Sequence, residues 1–267
     1  KEEFYLQHHY YTERQLWYVG SPTGLVLKEG LLKVNGVQEG TTLYFKDLGV
    51  QISWRLVFFL EYLGPLLIIP LILLCRGVLY DQGTPRPPLN FTQQVTSALL
   101  MLHFMKREVE SLFVHRFSHA TMPLVRLPLN CLHYWGFCGL IAFNLFHPAY
   151  KPPFDTSVVT LLAGLVLIFE LLNGKTHLIL RSLRPRGTAE RGIPCHYGFD
   201  QVSCANYFWE FLVWMCMSAI VNLKSCWLFT IVAALQMTQW ALKKHSSYRA
   251  TFKEYPRNRK AIIPFVI

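Results

Sequence analysis

The residues able to do chemistry gather where apolar runs of this sequence give way to polar ones. His245 and Tyr248 lie three apart, so a helix would put them on one face. Around them stand Lys243, Lys244, Arg249, Lys253, Arg257, Arg259 and Lys260, opposed by one acid, Glu254. A histidine, a phenol and a run of cations suit a phosphate-rich ligand. The same run is also what fixes the topology of a membrane protein, because basic residues stay on the cytosolic side. Asn173 and His177 stand four apart at the end of an apolar run, with Arg184 beyond, and Asn206 and Glu210 repeat that spacing. Such pairs either hydrogen-bond neighbouring helices or bring amides, a carboxylate and a guanidinium onto a nucleotide. Glu61 is a carboxylate inside the apolar run Leu56–Cys75. Burying it in lipid costs about 2.5–3.5 kcal/mol, so it either faces a protein or water-filled interior or reaches the headgroups. His115 and His119 form an HxxxH pair that could hold a metal. A single such box favours histidines bonding within an interfacial turn, and no metal is expected.

Composition says what must position these groups. Of 267 residues, 52% are hydrophobic, 15% aromatic and only 16% charged, against ~25% charged in a soluble domain. The net charge is +10. That charge could suit nucleic acid, but its basic residues border apolar segments, which favours anionic lipid or a phosphorylated cofactor; no nucleic-acid partner is expected. Cys75, Cys131, Cys138, Cys195, Cys204, Cys216 and Cys226 make no CxxC pair and read as buried thiols. The sequence begins at Lys1, as a fragment would, and no cleavable signal peptide is expected at this end. It has neither a GxGxxG nor a P-loop pattern. A dinucleotide would therefore bind between helices, not in a Rossmann crevice.

Residues 1–50 read as a small β-rich module, with short apolar runs at 25–27 and 31–34, turns at Gly36 and Gly40, and strand-like alternation over Thr42–Phe45. Apolar spans are expected at Leu56–Cys75, Val95–Met105, Cys131–Phe146, Val158–Leu172, Tyr207–Val221 and Trp227–Leu242, with a short seventh candidate over 112–127. Gly64-Pro65 and Pro70 are expected to kink the first. Asn90-Phe91-Thr92 is a glycosylation sequon of a kind common by chance. The fold class is thus an all-α polytopic membrane protein of six spans, or seven, with its N-terminal module and basic tail both cytosolic.

Several stretches resemble the very-long-chain trans-2-enoyl-CoA reductases of the steroid 5α-reductase superfamily, and most of all their reductase-like branch. They are TLYFKDLGVQISW at 42–54, FLEYLGPL at 59–66, LFVHRFSHATMPL at 112–124, CLHYWGF at 131–137, VSCANY at 202–207 and KHSSYRATFKEYPRNRKAIIPF at 244–265. The resemblance covers residue 40 to the end. It implies a ubiquitin-like remainder over residues 1–50 and a transmembrane reductase domain over 51–267. It also implies an endoplasmic reticulum location, NADPH as hydride donor, a long-chain acyl-CoA substrate, and membrane lipids and fatty-acid elongation enzymes as partners. Position by position, Asn173, Arg184, Asn206, Glu210, His245 and Tyr248 match the cofactor-side residues, and Glu61 the substrate-side carboxylate. Tyr248 is counted among the catalytic positions as well. One departure stands out. The family's catalytic tyrosine follows a histidine in a His-Tyr-x-x-Arg pattern, and here the pattern reads His103-Phe104-Met105-Lys106-Arg107. Phenylalanine has no proton to give, so Glu61, Tyr62 or His103 must donate. Otherwise the chain is a weak or inactive paralogue acting as a regulator or scaffold of lipid metabolism.

Overall fold

The computed structural model describes residues 1–27, 32–80, 88–117, 120–184 and 192–267. His119 therefore lies outside the described residues, and with it half of the HxxxH pair.

The chain divides into two compact units. The smaller comprises Lys1–Val57 and His119–Leu129. A short helix, α1 (Glu2–His8), precedes the antiparallel strands β1 (Gln15–Val19), β2 (Leu25–Val26) and β3 (Leu43–Asp47), ordered β2-β1-β3. The β-branched and aromatic residues of this stretch suit a pleated, half-buried surface. Trp17 faces Phe45 across the β1–β3 ladder. Phe4 of α1 comes to 4.8 Å from both rings. Arg14 and Asp47 close the end of the sheet at 2.5 Å, and the guanidinium holds the Asp47 carboxyl below its usual range. A second, two-stranded sheet pairs β4 (Gln51–Ser53) with β5 (Thr121–Pro123).

The larger unit is helical. It contains α2 (Trp54–Leu74) from Phe58 onward, α3 (Arg76–Leu79) and α4 (Phe91–Val109), which runs into a π-turn over Glu110–Val114. After α5 (Leu127–Cys131) and a second π-turn, Leu132–Gly136, come α6 (Phe137–Leu145), α7 (Thr156–Ser182), α8 (Ala205–Val221) and α9 (Lys224–Thr251). Side chains set the helix starts. Asn90 and Gln93 form a reciprocal capping box at the head of α4, which engages the side chain of the sequon asparagine. Asp155 accepts from Ser157 and Val158 at the head of α7. Both Pro65 and Pro70 stand inside α2, which remains one helix.

Among the described residues, α2, α7 and α9 are long and apolar enough to cross a bilayer. The other three expected spans are shorter or more polar: α8 has 17 residues, α4 ends in Lys106-Arg107, and 131–146 is divided by a π-turn. The short seventh candidate over 112–127 is corrected, because Thr121–Pro123 is a strand, followed by a 3-10 turn. Pro123 lacks the N–H a helix interior needs and biases its predecessor toward extended backbone.

The core is made by the inward faces of α2, α4, α6, α7, α8 and α9. Phe104, Ile141, Leu145, Met217 and Phe229 are buried there. Leu71, Leu171 and Leu235 point outward from the three long helices, as acyl chains would favour.

Candidate functional site

A buried polar cluster lies in this core, and α4, α7 and α8 supply it. On α4, His103, Lys106 and Arg107 sit within one helical turn, and Glu110 opens the π-turn just beyond. From α7, Glu170, Asn173 and His177 share a face at the i, i+3, i+7 spacing. Asn206 and Glu210 come from the first turns of α8.

His103 Nδ1 lies 2.5 Å from Glu170 Oε1, and its Nε2 lies 3.4 Å from Glu210 Oε1. Lys106 Nζ reaches Glu170 Oε2 at 2.9 Å and Glu110 Oε1 at 3.2 Å; it also donates to Asn173 Oδ1. Arg107 holds the other Glu110 oxygen at 2.8 Å. His177 Nδ1 is 3.0 Å from Glu110. The Asn173 amide donates to the Asn206 backbone carbonyl at 2.9 Å. Buried charges persist only when paired, and here two cations and three carboxylates interlock. Three buried atoms of the cluster make no hydrogen bond among the described residues: Glu170 Oε2 and His177 Nδ1, which have the ion-pair contacts above, and Asn206 Oδ1.

Against this cluster stands a set of rings. Phe104 has no exposed surface. Its ring centroid lies 5.0 Å from His103, 6.2 Å from Trp214, 6.3 Å from Tyr62 and 6.5 Å from Tyr134. Tyr62 accepts a hydrogen bond from Arg107 Nη2 at 3.0 Å, and the guanidinium also covers its ring at 5.1 Å. Glu61 is 2% exposed, so it is interior and does not reach toward headgroups. Asn130 hydrogen-bonds its carboxylate, while Oε1 has no partner among the described residues. Trp135 crosses α2 here, donating to the Leu60 carbonyl at 3.0 Å. Gly64 makes that crossing possible, since a Cβ there would fall 1.9 Å from the indole nitrogen.

His245 and Tyr248 lie in a second cluster. Ser203 Oγ is 2.5 Å from His245 Nδ1, 2.6 Å from the Tyr255 hydroxyl and 3.2 Å from the Lys260 carbonyl it bonds to. Tyr248 is buried against Tyr255 and Phe252, with the Lys244 ammonium over its ring. Beside them a cavity of about 390 Å³ is lined by His245, Arg249, Arg257, Arg259 and Lys260. Residues 203–206 connect this cluster to the first. Arg184 lies in neither. It lies two residues past the end of α7; its guanidinium donates to the Arg116 carbonyl, and the Arg116 guanidinium donates to the Arg184 carbonyl.

Glu110, His115 and His177 also bring three potential metal ligands within 4.8 Å of one another. The donor set does not suit a dication, because both Glu110 oxygens already face Lys106 and Arg107. Burial, and next the Arg107 charge, lower the His115 pKa to about 2.

Glu61, Phe104, Asn173, Asn206 and Glu210 are thus brought into one core, and His245 and Tyr248 into an adjoining one. Sequence reasoning missed Glu170, Glu110, Ser203 and Tyr255. Glu170 carried the same signal as Glu61, a carboxylate inside an apolar run. Ser203 carried none.

A model of the family described as 3-oxo-5-alpha-steroid 4-dehydrogenase matches residues 120–267. The chain belongs to the steroid 5-alpha reductase family. Within this reductase family it is 42% identical over 242 residues to the very-long-chain enoyl-CoA reductase of Dictyostelium discoideum, covering 90% of this chain and 79% of that protein. It is 34% identical over 235 residues to the human protein called trans-2,3-enoyl-CoA reductase-like, covering 85% and 64%. Its similarity is therefore greater to the Dictyostelium reductase than to the human reductase-like protein.

Proposed function

We propose that the chain reduces the 2,3 double bond of a long-chain trans-2-enoyl-CoA, the last step of fatty-acid elongation, with NADPH. The observation that carries this reading is the buried cluster joining Asn173, Asn206 and Glu210 to Lys106, Glu170 and His103. The likeness to a very-long-chain enoyl-CoA reductase over most of the chain supports it.

The residues present fit the cofactor. The cationic cavity beside His245 suits a nucleotide phosphate. At 390 Å³ it falls within the range of small-molecule sites, about 300–1,000 Å³. The unpartnered Asn206 Oδ1 suits the carboxamide N–H of a nicotinamide. NADPH, when bound, supplies the hydride that adds to the β-carbon. His245, Tyr248, Arg249 and Arg257 hold its phosphate end; Arg184, which lies in neither cluster, is assigned to the cofactor by the family resemblance alone. Asn173, Asn206 and Glu210 orient the nicotinamide end. Glu61 orients the thioester region. The lysine and arginine of the cluster favour the negative charge that builds on the thioester oxygen, the kind of effect that is often the largest in catalysis.

The wider assignment goes with this one. Residues 1–50 are the remainder of a ubiquitin-like module, and 51–267 form a six-span reductase domain of the endoplasmic reticulum membrane, with the basic tail cytosolic. Long-chain acyl-CoA, membrane lipids and other elongation enzymes are its partners.

Purified protein given NADPH and trans-2-hexadecenoyl-CoA is expected to release the saturated thioester. No product, under conditions where the Dictyostelium relative turns over, rejects the assignment. Phe104 favours a second reading, a cofactor-binding paralogue with little turnover that regulates or scaffolds lipid metabolism. Under it, wild-type turnover is negligible and Phe104→Tyr raises it.

A further inference from the structure

The site holds an unused proton. The Tyr62 hydroxyl oxygen accepts from Arg107 Nη2 at 3.0 Å. A guanidinium has donors only, so this contact engages a lone pair of the phenol and leaves its O–H free. Among the described residues no acceptor takes that hydrogen. A buried donor without an acceptor is costly. This one is 2% exposed, next in sequence to Glu61, and its ring is a neighbour of Phe104 at 6.3 Å.

We propose that Tyr62, clamped by Arg107, is the proton donor to the thioester oxygen of the bound enoyl substrate, in the role Phe104 cannot fill. This rests on the reductase reading above. The balance is simple. Hydride addition to the β-carbon breaks the C=C π bond and leaves an enolate with its charge on oxygen. The Tyr62 O–H donates to that oxygen and then passes its proton there, giving an enol that tautomerises to the saturated thioester. The phenolate left behind faces the Arg107 cation and regains a proton from water. The net reaction consumes the enoyl thioester, one hydride from NADPH and one proton. Tyr134 is the other buried phenol beside Phe104, with its ring 5.2 Å from that of Tyr62. It has no comparable cation over it and is assigned no proton transfer.

The test uses the full chain in lipid nanodiscs, without cofactor, and trans-2-hexadecenoyl-CoA labelled with carbon-13 at the carbonyl. In wild type the bound carbonyl infrared band is expected to fall below its position in free substrate. In Tyr62→Phe it should return toward the free value while affinity stays within about threefold; in Tyr134→Phe it should remain low. With NADPH added, Tyr62→Phe should lose at least about a hundredfold in kcat, the lower end of general-acid help. Adding Phe104→Tyr to that variant should restore at least tenfold. Should Tyr62→Phe fail to fold, 3-fluorotyrosine at position 62 replaces it, and the alkaline limb of the kcat profile should move to lower pH. Substrate that binds and turns over with the same band and the same kcat in Tyr62→Phe, or an unmoved limb in the fluorinated protein, overturns the Tyr62 assignment and leaves the reductase reading standing. Wild-type protein that neither binds nor reduces the labelled thioester brings down the reading itself.

Discussion

Glu170 shows how much a single side chain carries in this molecule. It lies on an apolar helix, yet it meets His103 on one oxygen and Lys106 on the other. Removing one partner of a buried pair typically costs about 3–5 kcal/mol. Glu170→Gln should therefore lower the thermal midpoint in detergent by several degrees, while the exposed pair partner Asp47→Asn should barely move it. A midpoint unchanged in Glu170→Gln would show that the cluster is solvated and not interlocked. His115 sets a pH dependence. Its ordinary value is 6.5, and in the fold it lies at about 2 because burial and the Arg107 charge disfavour the imidazolium. The unfolded chain then binds more protons than the folded one between those values, so stability falls as pH drops below about 6.5. His115→Gln should flatten that slope in urea titrations run from pH 7 to pH 4. A slope unaltered in the variant would assign the effect elsewhere. At this scale the sequence exposed Glu61, Asn173, Asn206 and Glu210, because polar residues in apolar runs announce themselves. It did not expose Ser203 or Tyr255, since an ordinary serine and tyrosine in a polar stretch carry no pattern until the fold joins them.

The helices were legible where hydrophobicity and length agreed. Leu56–Cys75, Val158–Leu172 and Trp227–Leu242 correspond to α2, α7 and α9. The stretch over 112–127 misled, because apolar content alone does not distinguish a helix from a strand flanked by turns. Prolines inside α2 were visible, but the crossing partner that exploits the neighbouring glycine was not: Trp135 lies 71 residues beyond Gly64 in the chain. Gly64→Ala should destabilise by about 1–3 kcal/mol, the usual penalty of overpacking, and Trp135→Phe in the same chain should recover part of it. Additive losses in the double variant would mean that the two residues do not meet. Asn90→Ala removes the capping box of α4 and should cost about 0.5–2 kcal/mol, read as an earlier thermal midpoint. Asn90→Asp should keep most of it.

Across the whole molecule, charge separates into an interlocked core and a cationic rim. The rim cavity contains Arg249 and Arg257 beside His245, and charge-assisted hydrogen bonds are worth about 1.5–3 kcal/mol. Arg249→Gln with Arg257→Gln should weaken NADPH about tenfold or more and leave NADH nearly unchanged, measured by fluorescence titration. Equal weakening of both nucleotides would place the 2′-phosphate elsewhere.

The Ser203 junction also bears on how the protein is made. Its partners lie 42, 52 and 57 residues further along the chain. The backbone of 201–204 is likewise stitched to Lys260 and Ala261. A ribosome making this polypeptide will have released residues 201–204 before the segment that pins them emerges. Loop closure of that length adds little entropy cost, so what remains is a matter of timing. The polar face of α7 can meet α4 at once, but Ser203 must wait, and a chain ending near Lys243 should keep the first pairing while lacking the second.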